Sequence, residues 1–243
     1  PRTVSASQTA IANRQGLALQ SAAWPLYREG LILLAPTGND EGLSRDALTN
    51  RFGAFRFTAR GAARFDNARA IRFEGGAIHS RQAGANVVAL CRRANALSLE
   101  VIFRALEWKD DADSVLIAAA GPAAVNFELS RVGEWLHWKV LSAGEQREVR
   151  LAPLTEGEPT HLVIAMGEAG TTVFFNGRSV FEEATLNSEF ERWTAGPLYI
   201  GGDGAGARPF HGELLGAAIY DRAFTRDEAQ ASSRRLPVDA ALP

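Results

Sequence analysis

Apolar and polar positions alternate in short stretches along most of this chain, the period of half-buried strands rather than helices. Leu97–Ala105 is the cleanest case: Leu97, Leu99, Val101 and Phe103 fall on one side, Glu100 and Arg104 on the other. Ile71 and Phe73 share a face in Arg69–Glu74, Phe52–Phe57 alternates imperfectly, and Leu198 and Ile200 flank Tyr199. Leu31–Leu34, Val115–Ala119 and Leu214–Tyr220 are apolar runs of strand length, and the second has the continuity of a buried strand. Turn signals separate these runs, and no long helix is expected. Thr225 stands three residues before Glu228, the spacing of a capping box, so a short helical turn is predicted there.

Two hairpins can be placed. In the first, Asn126–Ser130 turns through Arg131-Val132-Gly133-Glu134 into Trp135–Leu141. A four-residue turn sets Leu129 opposite Leu136 and Phe127 opposite Trp138, and on the other face Glu128 opposite His137 and Asn126 opposite Lys139. One face is then apolar and the other polar apart from Trp135. In the second, Thr172–Phe175 and Arg178–Val180 flank Asn176-Gly177, a pair suited to a turn that needs two positive φ angles.

Many short strands with few helical patterns argue for a sandwich or jelly roll. The closing segment GPLYIGGDGAGARPFHGELLGAAIYDRAFTRDEAQ, residues 196–230, resembles that of laminin G-like domains in the concanavalin A-like lectin/glucanase group. THLVIAMGEAGTTVFFNGRSV at 160–180 and LSLEVIFRA at 97–105 are similar to the central strands of such domains. The resemblance implies an all-β fold, a jelly-roll β-sandwich of two antiparallel sheets, over residues 24–243. Residues 1–23, rich in Ala, Ser, Gln and Thr, read as an N-terminal arm or linker. The resemblance also implies a packing role for His161. Many relatives carry an acidic pair in the closing strand that helps hold a structural calcium. The matching positions here are Leu215 and Gly216, which offer no side-chain oxygen and put such a site in doubt.

Composition narrows the classes. With 243 residues and 46% hydrophobic content, the chain can bury a full core without disulfides. A net charge of −2 gives no field that favours nucleic acid, and the scattered arginines make no RNA-binding pattern. No apolar run reaches the length of a membrane span. Cys91 is the single cysteine, read as a half-buried residue at a strand edge. The first residue is Pro1 rather than Met, which implies that something upstream was removed.

Chemistry is sparse. The carboxylate pattern E-x-D-x-x-E of sugar-cleaving relatives is absent, and Glu189-Phe190-Glu191 reads as a solvated loop or short helical turn. Lys109-Asp110-Asp111-Ala112-Asp113 reads as an acidic turn without metal, lacking the glycine and distal Glu of a calcium loop. His79, His137, His161 and His211 show no pair at metal spacing, and no cofactor or metal set can be named. The best functional signal is aromatic. Trp135, His137 and Lys139 line one strand face opposite Asn126 and Glu128, the mixture of ring, amide, carboxylate and imidazole that a sugar surface needs. Trp108 and Trp193 sit near loops and either rim that surface or pack. The expectation is a non-catalytic, extracytoplasmic binding module from a bacterium-like cell, secreted or periplasmic, with a glycan or protein partner. The rival readings are a structural subunit of a larger assembly and a glycan-cleaving enzyme.

Overall fold

The computed structural model describes residues 24–35, 47–49, 55–66, 70–106, 113–186 and 190–234. The arm 1–23, Phe52, Arg69, Trp108, the loop 109–112 and Glu189 lie outside these residues. The first part of the chain forms β1 (Leu31–Ala35), β2 (Ala47–Thr49), β3 (Arg56–Arg60), β4 (Ala63–Asp66), β5 (Ala70–Glu74), β6 (Ala77–Ser80) and helix α1 (Arg81–Ala94). Then come β7 (Leu97–Ala105), β8 (Asp113–Ala120), β9 (Val125–Val132), β10 (Trp135–Ser142), β11 (Glu145–Pro153) and β12 (Pro159–Gly167). Last are β13 (Gly170–Phe175), β14 (Arg178–Glu183), β15 (Leu198–Ile200), β16 (His211–Tyr220) and helix α2 (Arg226–Ser233).

Two antiparallel sheets face each other, as expected. The first runs β14-β13-β12-β7-β16-β5-β4, with β1 also paired to β16; the second runs β11-β10-β9-β8-β15-β6-β3-β2. Between them lie Leu99, Val101, Phe103, Phe127, Leu129 and Trp138, all wholly buried. A second apolar layer covers the outside of the first sheet, where Ile102, Val163, Phe174 and Ala218 meet Trp24, Phe224 and Ala229. Strands β7, β12 and β16 are therefore buried on both faces. That explains the near-continuous apolar runs LVIAM and LLGAAIY.

Local signals hold where they were strongest. Asn176 and Gly177 both take positive φ, 49° and 78°, and join β13 to β14 with Phe175 opposite Arg178. The Thr225–Glu228 capping box is formed and starts α2. The first hairpin keeps its faces but not its register. Its turn is the two residues Gly133-Glu134, with Gly133 at φ 57°, and the pairs are Trp138 with Leu129, Lys139 with Glu128 and His137 with Ser130. The expected pairing is thus displaced by two residues. A shift of two leaves every side chain on its original face, because the strand period is two.

The absence of a long helix is corrected by α1. Ser80 caps it by accepting from the Ala83 amide at 3.2 Å, and Asn95 ends it at φ 50°. Ala83, Val87, Val88 and Cys91 make its buried stripe, so Cys91 sits wholly buried on a helix rather than half-buried at a strand edge. Burial pushes its thiol well above the ordinary value. The helix packs against β1 of the first sheet and β15 of the second. It comes close because Gly84 has no side chain: a Cβ there would lie 2.1 Å from the Gly196 carbonyl oxygen and 2.5 Å from the Leu198 nitrogen. Gly84→Ala would gain about 1 kcal/mol of helix propensity. The clash is with backbone that cannot turn aside, so a net loss of about 1–3 kcal/mol is expected. A urea midpoint that stays put or rises in this variant would contradict the close packing.

Candidate binding face

The outer faces of the two sheets differ. The first is sealed by α2 and the Trp24 segment. At its centre Glu100 is 0% exposed on β7. Its Oε1 accepts from Trp24 Nε1 at 2.8 Å and from the Ser232 hydroxyl, and lies 2.9 Å from His161 Nε2. Its Oε2 accepts from the Tyr220 hydroxyl at 3.2 Å. His161 is therefore hydrogen-bonded as well as packed. Burial pushes the Glu100 carboxyl up, but the bond and charge of His161 and the bonds from Ser232 and Trp24 outweigh it and hold the group below its usual range. Serine, histidine and carboxylate meet here in the wrong order for acyl transfer, which needs the imidazole between the other two. No solvent reaches the three side chains. Gly216 belongs to the same packing: a Cβ there would lie 2.6 Å from the Trp24 ring. Gly216 thus seats an indole.

The second sheet turns a polar face outward. Its cross-strand register aligns Thr58, His79, Tyr199, Ala118, Glu128, Lys139 and Glu148 in one row across seven strands. Trp135 and His137 lie beside it on β10. All five residues expected from the sequence are in this region, with different roles. Asn126 is 0% exposed and its amide bonds both ways to the backbone of Thr194, donating at 2.8 Å and accepting at 3.0 Å. Glu128 is 3% exposed and meets Arg208 at 2.9 Å through each oxygen, the contact to Oε2 being a directed hydrogen bond. Arg208 also donates to Asp113 at 2.6 Å. Lys139 lies 3.2 Å from Glu148 and 3.9 Å from Glu128, and His137 Nδ1 lies 2.9 Å from Glu148. Partial burial raises the Glu148 carboxyl, while bonds from Lys139 and His137 outweigh this and hold it below the usual value. Trp135 is half-buried with the Arg150 guanidinium 4.3 Å from its ring centre.

Reasoning from sequence missed Glu148, Arg150, Arg208, Tyr199 and His79. The polar run EQREVR was available as a signal for β11; the others depend on strand neighbours distant in sequence. Trp193 packs: it is 1% exposed, donates to the Leu141 carbonyl at 2.9 Å, and leans on Phe127 and Phe190. Among the described residues, no group of three His, Cys, Asp or Glu side chains could hold a metal ion. No helix of the described residues is long and apolar enough to cross a membrane.

Solved structures with this architecture include the botulinum neurotoxin type C protein of a study on cell entry dependent on two ganglioside molecules (TM-score 0.65, 8% identity, 84% of this chain and 51% of that one). The binding domain of botulinum neurotoxin DC, in complex with rat synaptotagmin II, matches equally (TM-score 0.65, 8% identity, 84% and 51%). Trypanosoma rangeli sialidase matches over 95% of this chain and 39% of its own (TM-score 0.63, 14% identity). The chain thus spans about half the length of the toxin chains. At these identities the likeness is one of fold. No curated protein matches the sequence. A laminin G family model covers residues 80–230, more than half of the chain. The alternating strands, the N-G hairpin and the capped closing helix accordingly have a common origin, and the chain belongs to the concanavalin A-like lectin/glucanases superfamily.

Proposed function

We infer that the chain is a non-catalytic binding module that takes a glycan on the outer face of its second sheet. The observation that carries this reading is the contrast between the two outer faces. One is buried under the chain's own helix; the other sets out half-buried aromatic rings beside hydroxyl, imidazole, ammonium and carboxylate groups in a single row. Flat rings pack on the apolar side of a pyranose, and neighbouring polar groups bond its hydroxyls. An extracytoplasmic setting, secreted or periplasmic, goes with such a ligand. A protein partner is the second reading, favoured by the synaptotagmin complex of a protein with the same architecture. Membership of a larger assembly as a structural block is the third.

The test is a glycan array followed by titration calorimetry with the best binder. Trp135→Ala and His137→Ala are the informative variants, because Asn126 and Glu128 are tied into the fold. Loss of the Trp135 ring is expected to weaken binding roughly tenfold, equivalent to about 1.4 kcal/mol. Unchanged titrations in both variants would remove this part of the face from the reading. A protein that captures no glycan but runs as a stable complex in a native-mass measurement favours the other two.

A further inference from the structure

The row described above is not uniform, and the difference names a ligand chemistry; the inference rests on the outer face being the docking face. From β9 to β11 most charges are answered within the chain, Arg150 excepted, whose guanidinium lies over the Trp135 ring. Glu148 takes Lys139 and His137, and Arg208 takes Glu128 and Asp113. Little charge is left there for a partner to satisfy.

The β3–β6–β15 end is built differently. Arg56, Thr58 and Arg60 alternate along β3 and are exposed. Thr58 lies opposite His79, and His79 opposite Tyr199, with the imidazole and phenol rings stacked at 5.8 Å and 21°. Arg60 is two residues beyond Thr58 on the same face, hence diagonal to His79. It reaches the Gly204 carbonyl only at 3.5 Å. Arg81, also exposed, opens α1 two residues after His79. Among the described residues, Arg56, Arg60 and Arg81 make no ion pair. Burial, with the charges of Arg60 and Arg81, holds His79 below its ordinary value despite a bond with the Thr58 backbone, so near neutral pH the ring is uncharged and supplies hydrogen bonding. Tyr199 adds a hydroxyl that Gly204 leaves room for: a Cβ at Gly204 would lie 2.7 Å from it.

Arg60 and Arg81 act on this neutral aromatic pair, Arg56 shares the strand face of Arg60, and among the described residues none of the three meets a carboxylate; such a set complements an anion carried on a polar ring. The protein as a whole has a net charge of −2, so this is a local excess and not a general affinity for polyanions. We propose that this end of the face binds the anionic group of an acidic glycan, a carboxylated or sulfated saccharide.

The experiment titrates the full chain with polygalacturonate, dextran sulfate and neutral dextran at fixed ionic strength. Binding of at least one acidic polymer and not of dextran is expected. The double variant R60A/R81A should lose at least tenfold in affinity. A charge-matched control, R92A/R178A, removes two exposed arginines from α1 and β14 and should bind as the parent does. Equal loss in both double variants would overturn the site, by making the attraction non-specific. Parental binding by R60A/R81A with loss in Trp135→Ala would overturn the site while leaving the docking face intact. Failure of the parent to bind any of these polymers or any arrayed glycan would overturn both.

Discussion

Replacing Glu100 with alanine is expected to cost about 3–5 kcal/mol of folding stability, the range for removing one member of a buried charged pair. The carboxylate is the meeting point of four elements. Trp24 precedes β1, His161 is on β12, Tyr220 ends β16 and Ser232 is in α2. An ionised carboxylate only accepts, so His161 Nε2 must carry a hydrogen toward it. With Glu100 gone, an indole N–H, an imidazole N–H and the Ser232 hydroxyl are left buried without their acceptor, and the Tyr220 hydroxyl keeps only the Tyr27 carbonyl at 3.5 Å. Replacing both Glu100 and His161 with leucine is expected to cost less than E100A alone, because it removes the imidazole donor with the acceptor and refills the volume, while the indole and hydroxyl donors lose Glu100 in both variants. The carboxyl is held below its usual value in the folded protein. Its contribution is therefore full above the ordinary carboxylate range and is lost as pH falls through the lowered value. Urea midpoints for parent, E100A and E100L/H161L decide the matter. A midpoint for E100A equal to the parent's would sink the argument.

Trp138→Ala is expected to lose about 3–5 kcal/mol, the range for truncating a buried large aromatic side chain. Trp138 is wholly buried between the sheets and stacks on Phe127 at 5.5 Å. Its Nε1 has no hydrogen-bond partner among the described residues. A buried donor without an acceptor costs about 1–3 kcal/mol. Trp138→Phe removes that donor while keeping a ring in the space, so its loss should be well below that of the alanine variant. If both variants unfold at the same urea concentration, ring packing on Phe127 is not what Trp138 contributes.

The architecture was readable where its determinants are local. Leu97–Ala105 alternates because one side meets the inter-sheet core, and Asn176-Gly177 marks a turn through backbone geometry alone. The α1 stripe escaped notice because it is made of Ala83, Val87, Val88 and Cys91, small residues that carry little periodic contrast. The β9–β10 register slipped because Arg131 and Val132 read as turn residues, while only Gly133 needs a positive φ. The site was half legible for a related reason. Parity put Trp135, His137 and Lys139 on the outer face. It could not say that Asn126 would be claimed by Thr194, 68 residues away, or Glu128 by Arg208, 80 residues away. His79 and Tyr199 meet only because β15 inserts between β8 and β6.

The shared hold of Trp24 and Ser232 on one oxygen of Glu100 has a geometric consequence. The two ends of the described fold emerge together, on the side of the sandwich turned away from the row. A bead, a membrane tether or a fused domain joined near Trp24 or Arg234 would sit behind the molecule. The module would then present its polar face forward, like a palm held out from the wrist.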